Sequence, residues 1–143
     1  MSTPLRGMAT LNLYAHDLEA ADAWYTDLLG LPPYFRVPGG YLEWRVGDDE
    51  DELGIIDARY RAPDDATAPG GAVVHWHVDD VAAALADLLA RGATPHEPVR
   101  ERGHGFRTAS VVDPFGNLLG VMENPHWKRR HDGAPVPPVT TAS

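Results

Sequence analysis

Residues 73–80 read "VVHWHVDD": two histidines two apart around a tryptophan, ahead of paired aspartates. On an extended strand, positions i and i+2 point to one side. His75 and His77 would therefore present two imidazoles together, as a pair of metal ligands does. His104, flanked by glycines in "ERGHGFRTASVV", suits an acid–base or gating role, or an ordinary solvated loop. Tyr14 offers a phenol, and Arg107 a guanidinium able to pair an anionic group. The acidic run "DDEDE" (48–52) lacks the twelve-residue spacing and glycine of a calcium loop and reads as a solvated turn. The basic patch "HWKRRH" (126–131) reads as a solubilising end. No phosphate-cradling glycine loop or serine-nucleophile elbow occurs.

These groups sit in a chain of 143 residues, 43% apolar, enough for one compact domain or two small modules around one core. A formal charge of −9 disfavours nucleic acid and anionic membranes as partners and mildly favours a cationic small molecule. With no cysteine, disulfides, thiolate metal sites and cysteine nucleophiles are excluded. No apolar run approaches a membrane span, and "MSTPLRGMATLNLYAHD" has no long apolar stretch of a signal peptide. A soluble, cytoplasmic protein is the expectation.

The elements that must position the chemistry come in two copies. "MATLNLYA" (8–15) alternates Leu11 and Leu13 with Thr10, Asn12 and Tyr14, as a half-buried strand does. Asp17 is placed to cap a helix carrying Leu18, Ala21, Trp24 or Tyr25, and Leu28, and Gly30 with Pro32 and Pro33 ends it. Strand candidates follow at 34–37, 41–46 and 52–57. The second half repeats the order, with a strand at 72–78, Asp79 or Asp80 as cap, and a helix at 81–92. Its later strands are expected at 94–99, 106–112 and 117–123, with a tight turn at Asp113–Asn117. The helix-ending glycines Gly30 and Gly92 correspond across the repeat. The spacing predicts modules at 1–60 and 72–124, a linker at 61–71, and a basic, then proline-rich, partly disordered end at 125–143. Strand–helix–strand–strand–strand twice over implies an α+β fold: two βαβββ modules forming curved mixed sheets, each covered by its helix on one face, around a shared cleft. A split βαβ fold of ferredoxin type is the alternative.

"LYAHDLEAADAWYTDLLGLP" (13–32), "HVDDVAAALADLLARGATP" (77–95) and "DPFGNLLGVMENPHW" (113–127) together resemble the vicinal oxygen chelate superfamily, to which glyoxalase I, extradiol dioxygenases and bleomycin-resistance proteins belong. The resemblance spans residues 8–124 and implies fold more than activity. In metal-using members the ligands face the cleft from the first strand and a late strand of each half. Those positions fall here on Thr10, on Val73, on Gly120 and near Gly54 to Ile56. Threonine, valine and glycine supply neither imidazole nor carboxylate, so the usual divalent metal is expected to be absent and no other cofactor is implied. The resemblance also implies a homodimer.

Without a metal, the cleft lining is expected to be Thr10, Asn12, Tyr14 and His75, with Tyr41 and Trp44 placed to stack on a planar ligand and Arg107 to pair an anionic group. Trp24 and Trp76 read as helix–sheet core, and the same reading stands open for Tyr41 and Trp44. The leading expectation is metal-independent binding, with a sequestering or resistance role, of a small hydrophobic or aromatic compound. The alternatives are a metal-dependent lyase, isomerase or dioxygenase with a relocated metal near His75, joined by Glu43, His104 or an acid flanking a helix, and a metal-free acid–base enzyme using His75, His104 or Tyr14.

Overall fold

The computed structural model describes residue 4, residues 8–61 and residues 69–133, and the chain divides into two units, residues 1–65 and 66–143. In the first unit the order is β1 (Thr10–Ala15), α1 (Leu18–Leu29), β2 (Phe35–Val37), β3 (Tyr41–Val46) and β4 (Asp51–Asp57). Its sheet runs β1-β4-β3-β2, with β1 parallel to β4 and the rest antiparallel. Asp17 caps α1 by accepting the Ala20 N–H, and Gly30 ends it in the left-handed conformation (φ 74°), which penalises a Cβ and which glycine adopts freely. The helix buries Leu18, Ala21 and Tyr25 on a sheet face made by Leu42, Trp44, Val46, Leu53 and Ile55. Period-two alternation therefore turns Thr10, Asn12, Tyr14, Tyr41, Glu43, Glu52 and Gly54 to the face away from α1.

The second unit repeats this plan with β5 (His75–His77), α2 (Val81–Ala90), β6 (Thr94–Gly103), β7 (Phe106–Val112) and β8 (Leu118–Glu123). Its sheet runs β5-β8-β7-β6, again with the first and last strands parallel. Asp80, rather than Asp79, caps α2 through the Ala83 N–H. Val81 and Leu88 pack on Ala109, Val111, Leu119 and Val121. Asp113, 3% exposed, accepts from the backbone of Phe115 and Asn117 and ties the β7–β8 turn. The fold is thus the expected α+β duplication, and three strands after each helix exclude the split βαβ alternative.

The basic patch is more structured than a solubilising end. Residues Pro125–Asp132 form a further helix, α3, with Asn124 as its cap and Gly133 closing it. Most of the linker expected at 61–71, and the proline-rich end after residue 133, lie outside the described residues. No helix among the described residues is long and apolar enough to cross a membrane.

Candidate functional site

The face of the first sheet turned away from α1 gathers polar groups around Gly54. Asn12 is its register partner on β1, and a Cβ built on Gly54 would collide with Asn12 Oδ1 and the Tyr41 hydroxyl. Both side chains therefore lie over this glycine. Tyr41 donates to Glu43 Oε1 at 3.0 Å, and Thr10 Oγ1 donates to the Glu52 carbonyl at 3.3 Å. Burial, then the hydrogen bond and the negative charge of Glu43, push the Tyr41 phenol up to about 12. At neutral pH this phenol is a hydrogen-bond donor and not a base. Tyr14 shares the face, and the Arg61 guanidinium lies 4.6 Å from its ring centroid.

Trp44 does not belong here. Three residues from Tyr41 on one strand, it points the opposite way. It is fully buried beneath α1, 6.0 Å from the Tyr25 ring, and donates Nε1–H to the Leu31 carbonyl at 3.1 Å. The expected pairing of Tyr41 and Trp44 on one ligand is corrected: only Tyr41 faces outward from the core. Trp24 is half-buried and sits edge-on against Tyr25 at 4.8 Å, while Trp76 joins the α2 side opposite Val121.

In the second unit, His75 and His77 do share the face away from α2, opposite Gly120 and Met122. They do not form a chelating pair. His77 Nδ1 accepts the Asn124 N–H at 3.1 Å, its ring stacks 4.4 Å from that of Trp127, and its Nε2 faces Asp79 at 3.4 Å. His75 instead lays its ring over Gly120 and is exposed. Arg107 corrects another expectation. Its place opposite Glu123 in the register puts it on the α2 side. There Nη1 lies 3.2 Å from Glu123 Oε2, the oxygen that accepts the Val81 N–H. Its Nε lies 2.8 Å from Glu101 Oε1, although poorly aligned for a hydrogen bond. The guanidinium holds the start of α2 and is not free for a ligand. His104 stands at the exposed tip of the β6–β7 hairpin with φ 55°. It is at least about 13 Å along the sheet from the His75 level, too far to act on the same atom.

Two groups on this face carry no local sequence signal. Ser110, 5% exposed, pairs with Gly120 on the side opposite His75, and its Oγ is 2.7 Å from His96 Nδ1. His96 reaches it because the β6–β7 register slips between Pro95 and Glu97. Only the repeated proline in "TPHEPVR" hints at that irregularity.

By the duplication, the fourth position that the resemblance implies, near Gly54 to Ile56, corresponds to Gly54. Asn12 follows Thr10 by two and pairs with Gly54, as His75 follows Val73 by two and pairs with Gly120. The positions at which the resemblance implies ligands thus correspond to Thr10, Gly54, Val73 and Gly120. Both glycines lie where a side chain would strike what already covers them: Asn12 and Tyr41 over Gly54, the His75 ring and the Val74 carbonyl over Gly120. These residues do not fit the divalent ion of the metal-using members. Among the described residues no three His, Asp or Glu side chains come together at another point.

The chain is 26% identical to lactoylglutathione lyase from Agrobacterium tumefaciens, with a TM-score of 0.66, covering 87% of this chain and 98% of that one. A glyoxalase-related enzyme from Fulvimarina pelagi (24% identity, TM-score 0.67, 85% and 90% covered) shares the fold. So does a bleomycin resistance determinant encoded on transposon Tn5 (24%, 0.59, 82% and 98%). No curated protein matches the sequence. Residues 7–121 match the family described as the Glyoxalase/Bleomycin resistance protein/Dioxygenase superfamily. With the duplicated βαβββ order, parallel pairing of first and last strands, and that match over most of its length, the chain belongs to this superfamily.

Proposed function

We propose that this protein binds a small hydrophobic or aromatic compound without a metal ion and without transforming it, in a sequestering or resistance role. The observation that carries the reading is the closure of Gly54 and Gly120 by Asn12, Tyr41 and His75. Where the resemblance implies metal ligands, each sheet of this chain has a glycine covered by hydrogen-bonding side chains. Beside the covered Gly54, Phe35 and Val37 stand half-exposed on the Tyr41 side of the first sheet, an apolar and aromatic wall for a planar compound. The Tyr41 phenol holds its proton across the physiological range and serves this reading as a hydrogen-bond donor to the ligand.

The test is titration of chelator-treated protein with Zn, Ni, Mn and Fe(II) salts, beside a panel of aromatic compounds followed by tryptophan fluorescence. The expected result is no stoichiometric metal uptake, saturable binding of at least one compound unaffected by chelator, and recovery of that compound unchanged. Tight 1:1 metal binding lost in His75→Ala would overturn the reading in favour of a relocated metal centre. Turnover indifferent to chelator but lost in His75→Ala would overturn it in favour of metal-free acid–base catalysis.

A further inference from the structure

We infer that the second sheet recognises an oxyanion, such as the carboxylate of an aromatic acid, on a level built from His75, Ser110 and His96. The inference rests on the binding function proposed above and names a chemical class for one end of the ligand. One level of this sheet runs His75, Gly120, Ser110 across β5, β8 and β7, and the register slip in β6 brings His96 to Ser110 from the far side. Strands lie about 4.8 Å apart, so the His75 and Ser110 backbones are roughly 10 Å apart. The His75 ring leans over Gly120, close enough that a Cβ there would be 2.7 Å from Cδ2. The remaining gap is roughly one strand spacing, about the span a carboxylate bridges between two donors.

No carboxylate competes on this level. The hydrogen bond between Ser110 and His96 uses one proton of that pair and leaves another to donate, on the Ser110 hydroxyl or on His96 Nε2, while the His75 imidazole keeps at least one N–H in either protonation state. Among the described residues, no hydrogen bond or ion pair engages the His75 side chain, and that of His96 has only Ser110. The carboxylates on this sheet's strands are satisfied elsewhere. Glu97 is held by Arg100 and Arg102, Glu101 by Arg107, and Glu123 by Arg107 and the start of α2. Asp79 is beside His77 and Lys128. Gly120 is the enabling residue, since any side chain there would fill the gap. The corresponding level of the first sheet is different in kind: Asn12 and Tyr41 stand there with Glu43. The two copies have diverged in what they can hold.

The experiment is a proton NMR titration of the chelator-treated protein with benzoate, reading the imidazole Cε1–H signals, with benzylamine and benzyl alcohol as controls. Signals are assigned with His75→Gln and His96→Gln. Benzoate is expected to shift both signals saturably, and benzylamine to leave them in place. Ser110→Ala is expected to weaken benzoate about tenfold, as loss of a hydrogen bond to a charged group does. The wild-type titration stands by itself if a variant fails to fold. Benzoate that does not bind, or binds while both signals stay fixed, overturns the oxyanion assignment. If a control compound then binds with chelator present, the binding function survives without it. Binding by none of them, with tight metal uptake, defeats both.

Discussion

The imidazole of His75 covers its register partner Gly120 so closely that a Cβ on the glycine would sit 2.7 Å from Cδ2 and 2.8 Å from the Val74 carbonyl oxygen. The carbonyl is the more consequential neighbour, because it accepts the Gly120 N–H at 2.9 Å and cannot rotate away. Gly120→Ala should therefore destabilise the protein by about 1–3 kcal/mol, the usual effect of overpacking. Gly54 is covered by the ends of two side chains, Asn12 and Tyr41, which can swing aside. Gly54→Ala should lose less than half as much, and Asn12→Ala should restore part of it. Urea denaturation of the four proteins checks the order. Equal losses at the two glycines would show that backbone crowding is not the cause.

Tyr41 should titrate near pH 12, seen as phenolate absorbance, because burial and the Glu43 carboxylate both oppose ionisation. The folded state holds the proton more tightly than the unfolded chain, whose tyrosine titrates near 10. Stability from this group is thus complete below about pH 10 and is lost as the pH rises towards 12. Glu43→Gln should lower the Tyr41 midpoint and shrink that alkaline loss. An unchanged midpoint in the variant would leave burial, with the charge of Glu52, as the cause.

Trp44→Ala should lower stability by about 3–5 kcal/mol, since the ring is fully buried under α1 and its N–H is spent on Leu31. Trp44→Phe should cost less and leave affinity for any bound aromatic compound unchanged. A change in affinity with intact stability would return Trp44 to the ligand.

The repeat, the helices of both halves and the first helix's cap were readable because each depends on neighbours in sequence, Asp17 standing three residues before Ala20 and Gly30 at the helix end, while for α2 the sequence left Asp79 and Asp80 both open. The facing of β3 is open in the sequence, where Tyr41 and Trp44 read equally as pocket or core, and it is settled only by the pairing with β4 that buries Leu42, Trp44 and Val46. Ser110 and His96 were out of reach. Ser110 stands in an apolar strand, and the meeting with His96 depends on a slip in strand pairing fourteen residues away. The role of Arg107 likewise depends on Glu123, brought opposite by the β7–β8 register.

Arg107→Met should loosen α2 without touching ligand binding. The substitution removes the cation that holds Glu123, whose Oε2 accepts the Val81 N–H at the first turn of the helix. Both side chains are partly exposed, so a modest loss of about 1 kcal/mol is expected. Amide exchange should quicken in the first turn of α2 while the far end of the helix is unchanged. Weaker binding of an anionic ligand at unchanged stability would instead place Arg107 in the site.

Asn124 joins two structures: its side chain caps α3 through the His126 and Trp127 N–H groups, and its own N–H is donated to His77. Asn124→Ala removes only the cap, at about 1 kcal/mol of helix stability, because the backbone N–H remains. The rings of His77, Trp127 and His131, stacked at 4.4 and 3.6 Å, depend on α3 being formed. Fraying should therefore speed amide exchange across 125–132 and move Trp127 emission to the red, identified by comparison with Trp127→Phe. Exchange in β7 and β8 should not change, since Val111 and Val121 pack on the other face with α2. If exchange across α3 stays slow in Asn124→Ala, the aromatic stack holds the helix without its cap, and Trp127→Ala becomes the substitution that releases it.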